Sequence, residues 1–475
     1  MAYHISPLGS KDLPPAPPIK KLLGPSFILL GLGLGSGEVV LWPYMASQHE
    51  LGIVWGMLLG ITMQFFINME VARYALVNGE SIFVGFARLK RWLPAWFITS
   101  TFLGFGWPGI GLYGASLLAS ATAPVLGLKQ NTIGIILFIA IGVILSLGKV
   151  LYKTVEQLQK YLIGIAVPMI VGLTYYLATN VDLLALLKGL SGQGIANGEP
   201  YVFLPPSIVL GTFLGAMAYA GAGGNLNLTQ SCYVRDKGYG MGKYAERITS
   251  LITAGGSSDT FKLTGNTFPI TPENLERYKK WWKTINWEHF LIFWALGLFT
   301  MLTLSLLAYT TTFDSSNKGV GLDFIIRESV AIGTATLPIV GTAFLIITGI
   351  MLCATQLTVL DSTTRIMTEN VLLLRDGKSA FGVSKVYYLV LWLQIIFGIA
   401  VFSFGFDQPL TLIILGAIIN AFSMFVYTGI LLYLNNRTLA KELRPAPWRN
   451  AILLFTYIFF GVFCGVTAYF EFARM

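Results

Sequence analysis

The sequence has 475 residues, of which 55% are hydrophobic and only 12% are charged, and its mean hydropathy is +0.68. Soluble domains carry roughly a quarter charged residues, so this composition excludes an ordinary soluble protein. The net charge of +9 would suit a nucleic-acid binder, but the basic residues are distributed as membrane topology requires, and no nucleic-acid partner is needed to explain them.

Taken in chain order, the sequence opens with a polar, proline-rich segment, residues 1–24, which we expect to be a cytoplasmic tail rather than a cleavable signal peptide. Apolar runs then follow almost without pause, and a bilayer core needs about 20 apolar residues per helix. They predict an all-α polytopic membrane protein with eleven spans, near 25–47, 51–75, 95–124, 131–150, 157–179, 207–233, 287–310, 336–372, 386–404, 409–434 and 449–471.

Lysine and arginine set the expected orientation. With the N-terminus inside, 25 of the 32 basic residues fall in cytoplasmic segments, five in outer segments and two within spans. Because cytoplasmic loops are enriched in these residues, the N-terminus is predicted to be cytoplasmic and the C-terminus outside, in the inner membrane of a bacterium. A cytoplasmic insertion, about 234–286, carries the run Lys279-Lys280-Trp281-Trp282-Lys283, which is typical of a helix at the membrane interface.

Two spans contain clusters of glycine and polar residues at membrane depth. They are Gly31-Leu-Gly-Leu-Gly-Ser-Gly-Glu38 in span one and Gly221-Ala-Gly-Gly-Asn-Leu-Asn227 in span six. Each opens a block of five helices, about 25–179 and 207–434, within a single domain (25–475) that ends with an extra span at 449–471. Glycine-interrupted spans at matching positions of two halves indicate an inverted-repeat transporter with its site at the midplane. The unwound backbone and the positive ends of the half-helices would bind the ligand there.

At these positions the chain resembles the Nramp family of metal-ion transporters. The matching residues are Gly24-Pro25-x-Phe27 and the 35–38 motif in span one, Asn225-Leu226-x-Leu228 with Gln230-Ser231 in span six, and Ile366-Met-Thr-Glu369 in span eight. The resemblance implies a LeuT-type fold, in which two inverted five-helix repeats contain broken first and sixth helices.

The metal ligands of that family are missing. Where its members usually carry Asp-Pro-Gly-Asn this chain has Gly35-Ser36-Gly37-Glu38, and in place of Met-Pro-His it has Ala222-Gly223-Gly224. The thioether and imidazole that favour manganese or iron over harder ions are therefore absent. We expect no transition-metal site.

The substrate hypothesis that we favour is a small anion of bicarbonate size, or another small solute, coupled to protons or sodium. The expected binding residues line the two interruptions: Gly35, Ser36, Gly37, Glu38, Tyr219, Ala222, Gly223, Gly224, Asn225 and Asn227. Glu38 would be the coupling residue. The alternatives are a hard divalent cation such as magnesium, held through Glu38 and backbone oxygens, and a membrane sensor that transports nothing.

Other buried charges are expected to couple or gate rather than to bind substrate. Glu70 and Arg73 are spaced i,i+3 in span two, and Asp361 and Arg365 are spaced i,i+4 in span eight, so each pair shares a helix face. Gln356 joins this group. The glycine-rich segment from Gly238 to Lys243 lacks the residue spacing of a phosphate-binding loop, which argues against ATP binding. We expect no cofactor and no enzymatic activity, and the sequence leaves the oligomeric state open.

Overall fold

The computed structural model describes residues 5–17, 24–147, 151–196, 198–245, 263–313, 321, 323–375, 383–405 and 408–474. Within the predicted insertion, residues 246–262 lie outside the described residues, and for Ser36 only the backbone is described. Nearly all regular structure in the described part is helical.

Long apolar stretches form the helices because a backbone in lipid must satisfy its own hydrogen bonds. The span helices and the helices connected to them are Pro25–Gly35, Ser36–Leu41 and Trp42–His49 (span one), Trp55–Asn78 (two), Leu93–Phe105 and Gly109–Leu126 (three), Gln130–Leu147 (four), Leu151–Leu177 (five), Leu210–Ala218, Gly224–Leu228 and Thr229–Lys237 (six), Pro272–His289, Phe290–Leu296 and Gly297–Thr312 (seven), Pro338–Leu374 (eight), Val383–Ser403 (nine), Pro409–Thr438 (ten) and Pro447–Arg474 (eleven).

Shorter elements connect the spans. They are the helices and turns Leu51–Ile53, Ile82–Leu89, Asn180–Leu190, Gly240–Tyr244, Asp323–Ala335 and Lys441–Leu443, and the strands Gly9–Ser10, Gln193–Ala196, Glu199–Val202 and Asn266–Thr267. The first strand pairs in parallel with the last, and the middle two form an antiparallel hairpin.

Ten stretches of helix in the described residues are long and apolar enough to cross a membrane. The sixth span is not among them because its helices are short and interrupted, and with it the number is eleven, as predicted. The chain is an integral membrane protein.

Span eight lies at the centre of the bundle and packs against spans one, three, five and nine. Small residues allow the closest approach. A Cβ added to Gly114 of span three would lie 3.0 Å from the carbonyl oxygen of Gly349 in span eight. Close backbone approach through small residues is the usual way in which helices associate within lipid.

The predicted interfacial helix continues directly into span seven. Pro272–His289 is followed without a break by a π-helical segment, Phe290–Leu296, and then by Gly297–Thr312. The N-terminal tail packs on this helix, because the indole of Trp281 donates a 2.7 Å hydrogen bond to the carbonyl of Pro14 and Leu13 is fully buried. Below, the side of the bundle that carries this tail is called the inner side.

Spans one and six approach each other backbone to backbone. A Cβ added to Gly37 would lie 1.6 Å from the carbonyl oxygen of Tyr219, and one added to Gly33 would lie 3.1 Å from that of Gly221. No side chain larger than hydrogen fits at Gly37 without moving one of the two spans.

We expect Gly37→Ala to prevent this contact and to lower the midpoint of thermal unfolding of the purified protein, or to abolish a monodisperse product. Gly172→Ala is the matched control, because a Cβ at Gly172 in span five meets nothing within 4 Å. In a helix that change from glycine to alanine is favourable by up to about 1 kcal/mol. Equal unfolding midpoints for the two variants would contradict the packing described here.

Candidate functional site

The interruption of span one is a change of helix type rather than a gap. Pro25–Gly35 remains α-helical, and Ser36–Leu41 widens into a π-helix before the α-helix resumes. Segments of π-helix are rare and often mark functional sites. Span eight approaches this point closely: a Cβ on Gly35 would lie 2.3 Å from Thr355, whose hydroxyl donates to the carbonyl of Gly31 at 3.0 Å.

Span six is truly broken. Its first α-helix ends at Ala218, a short helical turn begins at Gly224, and the α-helix resumes only at Thr229. Gly223 and Gly224 both have positive φ, 78° and 47°, a conformation that residues with a side chain rarely adopt. The predicted glycine cluster therefore does produce the break.

Gln64 of span two satisfies the backbone at this break. Its amide nitrogen donates to the carbonyls of Met217 (3.2 Å) and Ala218 (3.0 Å), and its oxygen accepts from the Gly223 N–H at 3.0 Å. Gln64 is not among the site residues predicted from the sequence. The available signal was an uncharged polar side chain in the middle of an apolar span, a signal that Asn68 of the same span also gives.

Spans six and ten form a group of polar side chains that we call the amide box: Tyr219, Asn227, Asn420 and Tyr427. Asn420 donates to the hydroxyl of Tyr219 at 3.0 Å, and Tyr427 accepts from Asn227 at 3.1 Å. The Tyr427 hydroxyl in turn donates to the carbonyl of Gly224 at 3.0 Å. The side-chain oxygens of Asn227 and Asn420 are buried and have no hydrogen-bond partner.

Asn225 points toward span three. Its amide nitrogen donates to the hydroxyls of Ser100 (2.7 Å) and Thr101 (2.9 Å), while its oxygen is buried and unpaired. The same span contributes Phe105, which stacks on the ring of Tyr219 with centroids 5.7 Å apart. Tyr219, Asn225 and Asn227 therefore lie where spans three, six and ten meet.

Span three is itself interrupted between Phe105 and Gly109, where the sequence analysis expected a continuous helix. Gln356 of span eight supports the restart, because its side-chain oxygen accepts from the Gly111 N–H at 2.9 Å. In this structure Gln356 therefore binds backbone of span three.

Glu38 faces span seven instead of the amide box. One carboxylate oxygen accepts from the Thr300 hydroxyl at 2.6 Å, and the other is buried without a partner. Cβ atoms added to Gly33 and Gly297 would lie 3.0 and 3.5 Å from that free oxygen. The predicted site residues thus fall into two groups, one around Glu38 and one at the amide box. Ala222 is buried at the break of span six.

The Asp361–Arg365 pair belongs to a larger inner network. Arg365 donates at 3.0 Å to Asp361 and also pairs with Asp236, while Tyr387 donates to Asp361 at 2.7 Å. Next to Asp236 lies Arg235, which pairs with Glu369 of span eight. The network fastens the inner end of span six to spans eight and nine.

Glu70 and Arg73 form a second inner network. Arg73 pairs with Glu70 at 2.6 Å, and Arg449 of span eleven pairs with the same carboxylate at 3.1 Å. The guanidinium of Arg73 lies 3.9 Å from the ring centre of Trp282. This network joins span two to span eleven and to the helix that precedes span seven.

On the outer side, the helix Asp323–Ala335 covers the ends of spans one and three. The ring of Phe324 packs on Tyr44 at 5.6 Å, and Tyr113 donates to the carbonyl of Gly321 at 2.9 Å. Glu328 of this helix is buried, and burial raises its pKa to about 8. This helix therefore packs over the outer ends of spans one and three.

Two further features bear on ligands. Within the described residues no group of three or more His, Cys, Asp or Glu side chains is placed to hold a metal ion. An apolar cavity of about 370 Å³ is lined by Phe65, Trp282, Lys283, Asn286, Trp287 and Phe290. None of the predicted site residues lines it.

Solved structures that resemble this one are transporters. The chain matches a variant of the Eremococcus coleocola manganese transporter with a TM-score of 0.64 and 14% identity over 97% of this chain and 89% of that one. It matches Mhp1, a nucleobase-cation-symport-1 family transporter, with a TM-score of 0.54 and 11% identity over 90% of this chain and 81% of that one. It matches MhsT in complex with L-phenylalanine with a TM-score of 0.51 and 14% identity over 93% of this chain and 97% of that one. The chain has the LeuT fold. No protein-family model and no curated protein matches the sequence, so the comparisons establish the LeuT fold and not the Nramp family.

We expect Gln64→Ala to leave the backbone groups of the span-six break without this partner, at about 1–3 kcal/mol for each buried group left unpaired. Thermal unfolding in detergent should therefore shift downward by several degrees. Gln394→Ala is the matched control, because Gln394 is also a buried amide but lies away from the break. It accepts a hydrogen bond from the Thr363 hydroxyl and donates one to the Thr364 hydroxyl, both in span eight. A smaller shift for Gln64→Ala than for the control would contradict the role of Gln64.

Proposed function

We propose that this protein is a secondary transporter of a small polar solute, which binds at the amide box and at the break of span six, and that Glu38 is the coupling residue. Support comes from the LeuT fold shared with transporters of quite different cargoes. It also comes from polar groups held at an interrupted helix in the middle of the bundle, where each unmet hydrogen bond is costly.

The single observation that carries the choice of substrate is the set of unpaired oxygens. Asn225, Asn227 and Asn420 each use their amide nitrogen in hydrogen bonds and leave a buried oxygen free. Free acceptors suit a ligand that donates hydrogen bonds, such as an uncharged or zwitterionic solute. They suit a bare anion less well, so within the hypothesis of an anion or small solute we favour the solute.

The same oxygens support a second candidate, a hard divalent cation such as magnesium, which prefers oxygen ligands and retains water. That candidate requires charge compensation. The free carboxylate oxygen of Glu38 is the group that would supply it, although the carboxylate faces Thr300 on span seven.

Glu38 is well placed for coupling under the first candidate. It links span one to span seven, and its free oxygen lies beside Gly33, which contacts Gly221 at the break of span six. Binding of a proton or a sodium ion at this carboxylate would alter the contact between the two interrupted helices and so the affinity of the site for its cargo.

Uptake into proteoliposomes tests the proposal, with wild-type protein beside Glu38→Gln. The candidate cargoes are neutral amino acids, bicarbonate, magnesium and manganese, each with and without a pH or sodium gradient. We expect saturable uptake of a hydrogen-bond-donating solute that is driven by one gradient in the wild type and no longer by it in Glu38→Gln. Glu328→Gln, another fully buried acid, is the control and should keep gradient-driven uptake. Magnesium flux abolished by Glu38→Gln would establish the second candidate, and no flux of any cargo would favour a sensor.

Asn420 tests the location of the site. Asn420→Ala should raise the KM for the transported solute by about tenfold or more, since loss of a buried hydrogen bond costs about 1–3 kcal/mol. Asn435→Ala is its matched control on the same span, because that buried amide donates to the Glu70 carbonyl and carries a free oxygen outside the amide box. Similar KM values for the two variants would place the solute elsewhere.

A further inference from the structure

A second buried acid joins spans one and seven at their inner ends. The carboxylate of Glu288 accepts a short hydrogen bond from the Ser26 hydroxyl and a 3.3 Å bond from the Gly24 N–H. The Ser26 oxygen also lies 2.8 Å from Nδ1 of His289. Ser26, Glu288 and His289 are all fully or almost fully buried, and we call them the inner cluster.

The hydrogen bonds fix where a proton can be accepted. When Glu288 is ionised it accepts the single hydroxyl proton of Ser26, and Nδ1 of His289 is then the donor toward the Ser26 oxygen. In the neutral ring, Nε2 then carries a lone pair, and this atom is buried without a partner. The inner cluster therefore holds one carboxylate and one vacant basic nitrogen, and it has room to bind a proton.

Aromatic rings flank the imidazole of His289, and they offset part of the cost of burying a protonated ring. His289 lies between Phe65 and Phe293, stacked at centroid distances of 5.5 and 4.6 Å. Aromatic faces attract a cation, the more so when water is excluded. The charged and titratable groups that act on Glu288 from the neighbouring elements are Lys237 and Tyr239, and Lys237 is itself paired with Glu156 of span five at 2.9 Å.

Side-chain contacts along span seven connect the inner cluster to the interruptions of spans one and six. Phe293, which stacks on His289, lies in the π-helical segment Phe290–Leu296, and a Cβ on Gly221 would lie 2.7 Å from its ring. Beyond this segment, Thr300 binds Glu38. Span one is thus fastened to span seven by two carboxylate–hydroxyl hydrogen bonds, Glu288 to Ser26 at its inner end and Glu38 to Thr300 near its midpoint.

We infer that the inner cluster is a proton-binding site and that proton uptake there releases the inner end of span one from span seven. This inference rests on the proposed transport function and deepens it by naming the proton as a coupling ion. An ionised Glu288 is a strong acceptor for Ser26 and Gly24. A proton bound by the cluster and shared with Glu288 neutralises the carboxylate and weakens both bonds. The inner end of span one can then move, as opening toward that side requires.

The test is hydrogen–deuterium exchange of the full-length protein in lipid nanodiscs between about pH 5 and 8, corrected for the intrinsic pH dependence of exchange. In the wild type we expect protection of the first turns of Pro25–Gly35 to fall several-fold as the pH is lowered. Glu288→Gln should remove this pH dependence. Glu328→Gln, the buried acid of the outer helix, should leave it intact and change only the segment Asp323–Ala335.

Ser26→Ala keeps the proposal testable if Glu288→Gln does not fold. It removes the donor without touching a titratable group, and the first turns of span one should then be weakly protected at every pH. Wild-type protection that does not vary with pH, or pH dependence that survives in Glu288→Gln, would overturn the inference.

The exchange measurement needs no substrate, which separates the two proposals. A pH-dependent inner cluster in a protein that moves none of the candidate cargoes would count against the proposed function alone. Solute uptake that is indifferent to a pH gradient and to Glu288→Gln would count against the inner cluster alone.

Discussion

The structure depends on one constraint: an interrupted helix within a membrane protein must have its free backbone groups satisfied by other parts of the protein. Each such group left unpaired in a nonpolar environment costs several kcal/mol. At the break of span six, Gln64 supplies both donor and acceptor, and Tyr427 caps the Gly224 carbonyl. At span one the helix avoids the cost by widening into a π-helix, and Thr355 binds a carbonyl in the preceding turn.

This solution explains why the polar residues of the interior divide into separate groups. The side-chain amides of spans six and ten donate their nitrogens to tyrosine, serine and threonine hydroxyls, and their oxygens are buried without a hydrogen-bond partner. Two buried acids, Glu38 and Glu288, lie elsewhere, at the interface between span one and span seven. If the solute and the coupling ion bind at these two separate places, as we propose, ion binding alters helix contacts without changing the ligands of the solute.

The inner ion-pair networks complete the arrangement. Asp236, Arg365 and Asp361 hold span six to span eight, and Glu70 with Arg449 holds span two to span eleven. Buried pairs of this kind are costly to break singly, since a lone charge would remain in a nonpolar environment. Together with the bonds at the inner end of span one, they hold the inner ends of spans one, two and six to the rest of the bundle.

Much of the fold was predictable from the sequence, because in lipid an apolar run of sufficient length has few alternatives to a helix. The eleven spans follow from hydropathy. The break of span six follows from Gly223 and Gly224, because glycine is the residue type that adopts positive φ without a steric penalty. The Asp361–Arg365 and Glu70–Arg73 pairs were visible as helical spacings, although their third partners, Asp236 and Arg449, come from distant segments.

What the sequence by itself determined was therefore local: which segments are helical and which of them contain glycine interruptions. Only the tertiary structure decided the direction of each side chain. Glu38 could have faced the amide box or span seven, and Glu288 and His289 lie at the start of the predicted span seven, where the sequence gives no sign of their contact with Ser26. The reason is physical. Periodicity fixes the face of a single helix, but the neighbours of that face are set by the packing of helices far apart in the chain.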